Sequence, residues 1–162
     1  MAVSIKRVYE AASRTDGVRV LVDRLWPRGL TKARAAVDEW LRDLAPSDDL
    51  RRSYHARLGS APLHRAQDRV RPDRQQDLQW SNFRKKYLKE LTQLEAQDAL
   101  LQLYQLAQKR KRLTLLFASK NETHNNAAVL KELLDGMRKP PTGTGPGAVH
   151  TPHNREAAVR RR

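Results

Sequence analysis

Apolar and polar positions along the chain fall into two kinds of rhythm. Short β-branched runs occur at "IKRVY" (5–9) and "VRVLV" (18–22), separated by a segment whose Asp16-Gly17 is a turn signal, and they predict two strands. From Thr31, which can cap a helix, Val37, Trp40, Leu41 and Leu44 recur at i, i+3, i+4 and i+7. That spacing predicts a helix ended by Ala45-Pro46. Ser47, followed by Asp48 and Asp49, reads as the next helix start, because anions in a first turn complement the helix dipole.

Residues 56–79 carry Gly, two Pro and scattered charge without a sustained period, and they are expected to form an insertion or loop. Helices are predicted from about Asn82 to Leu91 and from about Leu94 to Gln108, the second presenting Leu94, Leu101, Tyr104 and Ala107 or Gln108 on one face. "RLTLLFA" (112–118) is the most apolar run and suits a central strand buried on both sides. A last helix follows from the spacing of Val129, Leu130, Leu133, Leu134 and Met137. Residues 139–162 have the Pro, Gly and Thr content of a disordered basic tail. Strands alternating with helices predict an α/β domain over residues 1–138, with a mostly parallel sheet flanked by helices.

Composition adds bounds to this picture. A chain of 162 residues buries one real core and leaves little for a second. It has no cysteine, which excludes disulfides, thiolate metal sites and a cysteine nucleophile and fits a cytoplasmic protein. No apolar run is long enough to span a bilayer, and the first residues lack the apolar core of a secretory signal, so no membrane is expected as a partner. The formal charge of +14 comes from 32 Lys and Arg against 18 Asp and Glu. Such an excess favours anionic partners, either an anionic small molecule or nucleic-acid phosphates.

The candidate chemistry follows from topology. In parallel sheets the ligand crevice lies beyond the carboxyl ends of the strands. "DRLWPRG" begins where the strand at 18–22 ends, and "SKNETHN" begins where the strand at 113–118 ends. If those strands are neighbours, Asp23, Arg24, Trp26 and Arg28 meet Lys120, Glu122, His124 and Asn125 across one crevice. Arg24 and Arg28 flank one turn and repel unless an anion satisfies them, so they are the expected anion holders, helped by Lys120 and Asn125. Asp23 is expected to fix Arg24, and Trp26 to close a wall. Asp23, Glu122 or His124 would move a proton in an enzyme, while packing, capping or a solvated face accounts equally well for each. No metal site or cofactor motif is found, since "HTPH" (150–153) stands in the tail without a partnering carboxylate.

The heptapeptide "DRLWPRG", with "WLRDLAPS", "KKYLKEL" and "LTLLFASKNETHNNAAVLKELL", resembles the short members of the family called domain of unknown function 488. The likeness spans most of residues 4–136. It implies a three-layer α/β domain and marks the positions already derived: Asp23, Arg24, Trp26, Pro27, Arg28 and Gly29, then Lys120, His124 and Asn125. It implies no reaction. The chain departs from the family pattern in residues 56–79, in its tail, and at Thr123, where an acidic residue is expected. "FASK" stands where longer relatives carry a cysteine, so no thiol chemistry carries over.

Two classes of function stay open. One is an enzyme or sensor acting on a phosphorylated or nucleotide-like ligand. The other is a non-catalytic nucleic-acid-associated protein. An enclosed crevice favours the first and an exposed basic stripe the second. The pattern assigns no oligomeric state.

Overall fold

The computed structural model describes residues 2–59 and 72–141. Four parallel strands, β1 (Ala2–Arg7), β2 (Val18–Leu21), β3 (Glu39–Trp40) and β4 (Arg112–Phe117), lie in the order β1-β4-β2-β3. Five helices accompany them: α1 (Lys32–Ala35), α2 (Asp48–Gly59), α3 (Pro72–Glu90), α4 (Leu94–Lys109) and α5 (Asn126–Gly136). The arrangement is a three-layer α/β domain, as the strand–helix alternation predicts. Central β4 pairs on both sides, and Leu113 to Phe117 are all buried, as its mostly apolar run requires.

Alternation along the strands sends side chains to two faces. Val3, Val20, Leu113, Leu115 and Phe117 join the main core, which holds Tyr87 of α3, Leu100 and Leu103 of α4 and Val129, Leu130 and Leu134 of α5. Burying each such Leu or Val contributes about 1.5–3 kcal/mol. The opposite face is thinner and more polar. There Leu21 and Leu116 pack with Val8 and Ala35 in a small cluster flanked by Trp26 and Trp40. Beside it, Thr114 Oγ1 donates to the Asp16 carbonyl at 2.7 Å, and the Asp16 carboxylate accepts from Lys6 and the buried Arg19. Arg19 also donates to the carbonyls of Ala35 and Ala36, which satisfies groups that the end of α1 leaves unpaired.

The helix expected from Thr31 to Leu44 is not formed. Thr31 does cap α1, accepting from the Arg34 N–H at 3.2 Å, but α1 ends after one turn with Ala36 left-handed at φ 48°. The Asp38 carboxylate then takes the Arg19 N–H at 2.8 Å, and Glu39 and Trp40 pair with Val20 and Leu21. A 3-10 turn at Arg42–Leu44 completes the segment. An edge strand followed by a tight turn thus puts Trp40, Leu41 and Leu44 inward at a spacing that imitates a helix.

Other boundaries also differ. α2 runs to Gly59 and α3 begins at Pro72, so both flanks of the expected 56–79 loop are helical, while 60–71 lie outside the described residues, as do 142–162 of the expected tail. The buried face of α4 is Ala96, Ala99, Leu100, Leu103 and Ala107. Leu94, expected inside, is 56% exposed. Three alanines let α4 approach its neighbours closely, and that contact outweighs the larger Leu94 and Leu101.

Candidate functional site

Because β2 and β4 are adjacent and parallel, with Leu21 opposite Leu116, their chains emerge side by side at Asp23 and Ala118. Asp23 ties the two exits together. One carboxylate oxygen accepts the Ala118 N–H at 2.8 Å, and the other accepts Nδ2 of Asn126 at 3.1 Å. The same Asn126 nitrogen donates to the Val22 carbonyl at 2.9 Å, and the Asp23 carbonyl accepts the Trp40 indole N–H at 2.8 Å. Burial pushes the Asp23 carboxyl above its ordinary value, opposed by the Ala118 and Asn126 hydrogen bonds and by the charge of Arg51. Contrary to expectation, among the described residues no hydrogen bond or ion pair joins Asp23 to Arg24, and the carboxylate oxygens meet the Ala118 and Asn126 N–H groups instead.

Beyond these strand ends lies a crevice of about 390 Å³. The loop after β2 supplies Arg24, Leu25, Trp26, Pro27 and Arg28; α2 supplies Arg51, Tyr54 and His55; α3 supplies Phe83; the turn after β4 supplies Ser119, His124 and Asn125. Arg24 is half-buried, and its Nε is buried without a hydrogen-bond partner. Arg28 is exposed at the rim, where its carbonyl accepts the Tyr9 hydroxyl at 3.0 Å. The Trp26 indole donates to the Leu30 carbonyl at 2.7 Å and meets Trp40 edge-on at 5.4 Å, so its ring braces the loop as well as lining the crevice.

On the other side His124 is half-buried, its ring stacked on Trp80 at 4.6 Å with the planes 12° apart. Asn125 caps α5, accepting the Ala128 N–H at 2.9 Å while its amide donates to the Asn121 carbonyl. Lys120 and Glu122 are exposed and do not line the crevice, contrary to expectation. The cause is local. The Asn121 side chain accepts the N–H groups of Thr123 and His124, winding residues 119–125 into a turn that faces Lys120 and Glu122 outward and His124 inward.

Sequence reasoning thus brings six of its eight positions to one crevice and misses the contribution of α2, α3 and Asn126. Arg51, Tyr54 and His55 stand at i, i+3 and i+4, a helical face that could have been read. Nothing in the sequence distinguishes Asn126 from its neighbour Asn125. Burial raises the Tyr54 hydroxyl above its ordinary value, so it presents a neutral phenol to the site. Among the described residues neither Arg24 nor Arg28 has an acidic ion-pair partner, and Arg51 has only a 3.5 Å contact with the half-exposed Asp48. The site therefore combines three guanidiniums with aromatic walls. Among the described residues no group of three or more acidic or histidine side chains could hold a metal, and no helix is long and apolar enough to cross a membrane.

A parallel α/β domain with a cationic, aromatic-lined crevice at two strand ends is the class of protein defined here. The chain belongs to the inactive DUF488-N3 subclade, whose profile matches residues 2–142. It is similar to the uncharacterized protein YeaO of Escherichia coli K12, at 38% identity over 137 residues, covering 85% of this chain and all of that one. It is also similar to the uncharacterized proteins Mb3100c of Mycobacterium bovis and Rv3073c of Mycobacterium tuberculosis, each 35% identical over 134 residues, 83% of this chain and 94% of theirs. No solved structure gives a significant match.

Proposed function

We propose that the protein is a cytoplasmic sensor or binding domain that captures a phosphorylated or nucleotide-like anion in this crevice. Arg24 carries the reading. A buried guanidinium N–H without a partner costs free energy that a native fold normally avoids, and Arg24 lines the crevice, so a side-chain shift that brings this N–H onto an anionic oxygen there would remove that cost with a charge-assisted bond. Arg28 at the rim and Arg51 from α2 would neutralise the remaining charge of a phosphate group.

Binding without turnover is favoured over catalysis. The Asp23 carboxylate is held in a positioning role by the Ala118 and Asn126 N–H groups, Glu122 lies outside the crevice, and the subclade is described as inactive. Of the proposed proton movers, Asp23 and His124 line the site, and Asp23 is engaged in the clamp between the two strand exits. The charge of +14 supports a second reading, association with nucleic-acid phosphates, but the aromatic lining of the crevice suits a small ligand better than an exposed strand.

Calorimetry with inorganic phosphate and simple phosphate esters tests the proposal. The wild-type chain should bind at least one ester, and Arg24→Gln should weaken it by about 1.5–3 kcal/mol, the usual contribution of a hydrogen bond to a charged group. No binding by any ester, or equal binding by the variant, contradicts it.

A further inference from the structure

Resting on the anion-binding reading above, we infer that the crevice is built for one mononucleotide, its phosphate on Arg24 and Arg28 and its base against the aromatic wall that ends in His124. The lining is uneven in chemistry. The loop after β2 brings Arg24 and Arg28 with Trp26, whereas the side formed by α2, α3 and the turn before α5 brings mostly flat rings, Tyr54, His55, Phe83 and His124, together with Arg51.

Those rings form a connected group. Tyr54 lies 4.7 Å from Phe83, Phe83 lies 5.5 Å from Trp80 at 21° between planes, and Trp80 lies 4.6 Å from His124 at 12°. Three successive planes are therefore near parallel. Tyr54, Phe83 and His124 of this group line the crevice, so a planar heterocycle entering it continues an existing stack. A sugar phosphate has no planar face to offer that wall. Its hydroxyls would lie against ring carbon instead.

Size favours a single nucleotide as the occupant. About 390 Å³ stands near the lower end of the roughly 300–1,000 Å³ range of small-ligand sites, room for one nucleoside phosphate within the crevice. The stacking also fixes the plane of His124. Its imidazole needs no reordering when a base arrives, which limits the entropic cost of binding.

The test is calorimetry on the full chain with AMP, GMP, CMP and UMP, each compared with ribose 5-phosphate, on the wild type, His124→Ala and His124→Phe. At least one nucleotide should bind about tenfold or more tighter than ribose 5-phosphate, the gain expected of a stacked base. His124→Ala should reduce that advantage and leave ribose 5-phosphate binding unchanged, which also shows that the variant is folded. His124→Phe, which keeps a flat ring, should restore it. If ribose 5-phosphate binds as tightly as every nucleotide, the mononucleotide inference is overturned while the anion reading stands. Should His124→Ala weaken both kinds of ligand equally, the base is not where we place it. If neither kind binds, the anion reading itself falls.

Discussion

Asn126 shows how a single amide holds the site together. It satisfies the Val22 carbonyl and one oxygen of Asp23 with the same nitrogen, and Asp23 in turn clamps the start of the turn after β4. Asn126→Ala leaves the buried Val22 carbonyl and one oxygen of the part-buried Asp23 without this donor and should cost about 1–3 kcal/mol in urea denaturation. A loss within experimental error would show that the clamp is dispensable. Asp16 governs the acid response. Burial raises its carboxyl, but the Ser13 N–H, Lys6 and Arg19 outweigh it, and the net direction is below the ordinary value. A carboxyl lowered in the fold stabilises above its unfolded value of about 3.9, and that stability is lost as pH falls through the folded value. Asp23, raised by burial, acts with the opposite sign and favours the fold as it gains its proton. The wild type should therefore lose stability below about pH 4, and Asp16→Asn should flatten that limb of a pH-dependent unfolding series. An unchanged limb in the variant would show that Asp16 is not its source.

Two glycines separate backbone conformation from close approach within the turns that position the strands. Gly17, entering β2, has φ +68°, and a Cβ there would stand 2.2 Å from the Arg112 carbonyl oxygen of β4. Gly29, ending the arginine loop, has φ +78° and open space around it. Gly29→Ala should cost only the left-handed strain of about 1–2 kcal/mol. Gly17→Ala should exceed the roughly 0.5–3 kcal/mol of ordinary substitutions, because backbone cannot move aside as a side chain can. Equal costs in chemical denaturation would contradict the account.

Elements were legible where one local rule governed them. The apolar run of β4 declared a central strand, and Ser47 declared the start of α2, its hydroxyl accepting the Leu50 N–H at 3.2 Å. Residues 31–44 misread because Trp40, Leu41 and Leu44 reach the core through an edge strand whose pairing with β2 is long-range. The face of α4 misread because small alanines, not the largest side chains, make its contact. The crevice itself was legible from strand ends and chain order. Its α2 wall was not, because a helical face of Arg51, Tyr54 and His55 does not by itself say that the helix packs over the ends of β2 and β4.

At the scale of the whole molecule, charge and crevice make separable demands. The excess of +14 should give weak, sequence-tolerant binding to duplex DNA that falls steeply with salt, since neutralised phosphates release counterions. Residues 139–162 hold five basic residues against one acidic, so truncation after Arg138 should flatten the salt slope in fluorescence anisotropy. Tight binding to one DNA sequence at high salt would contradict a diffuse electrostatic origin. The crevice should instead hold a small phosphorylated ligand with little change on truncation, because its lining lies within residues 9–126. The central claim is that the unpartnered Arg24 Nε meets an anion there. Its most direct measurement is the ¹⁵N–¹H resonance of that Nε, assigned by its loss in Arg24→Lys and followed as AMP is added to the full chain. The account predicts a progressive shift of this signal that saturates together with the calorimetric binding curve. An Arg24 Nε signal that stays fixed while the ligand saturates the protein would contradict it.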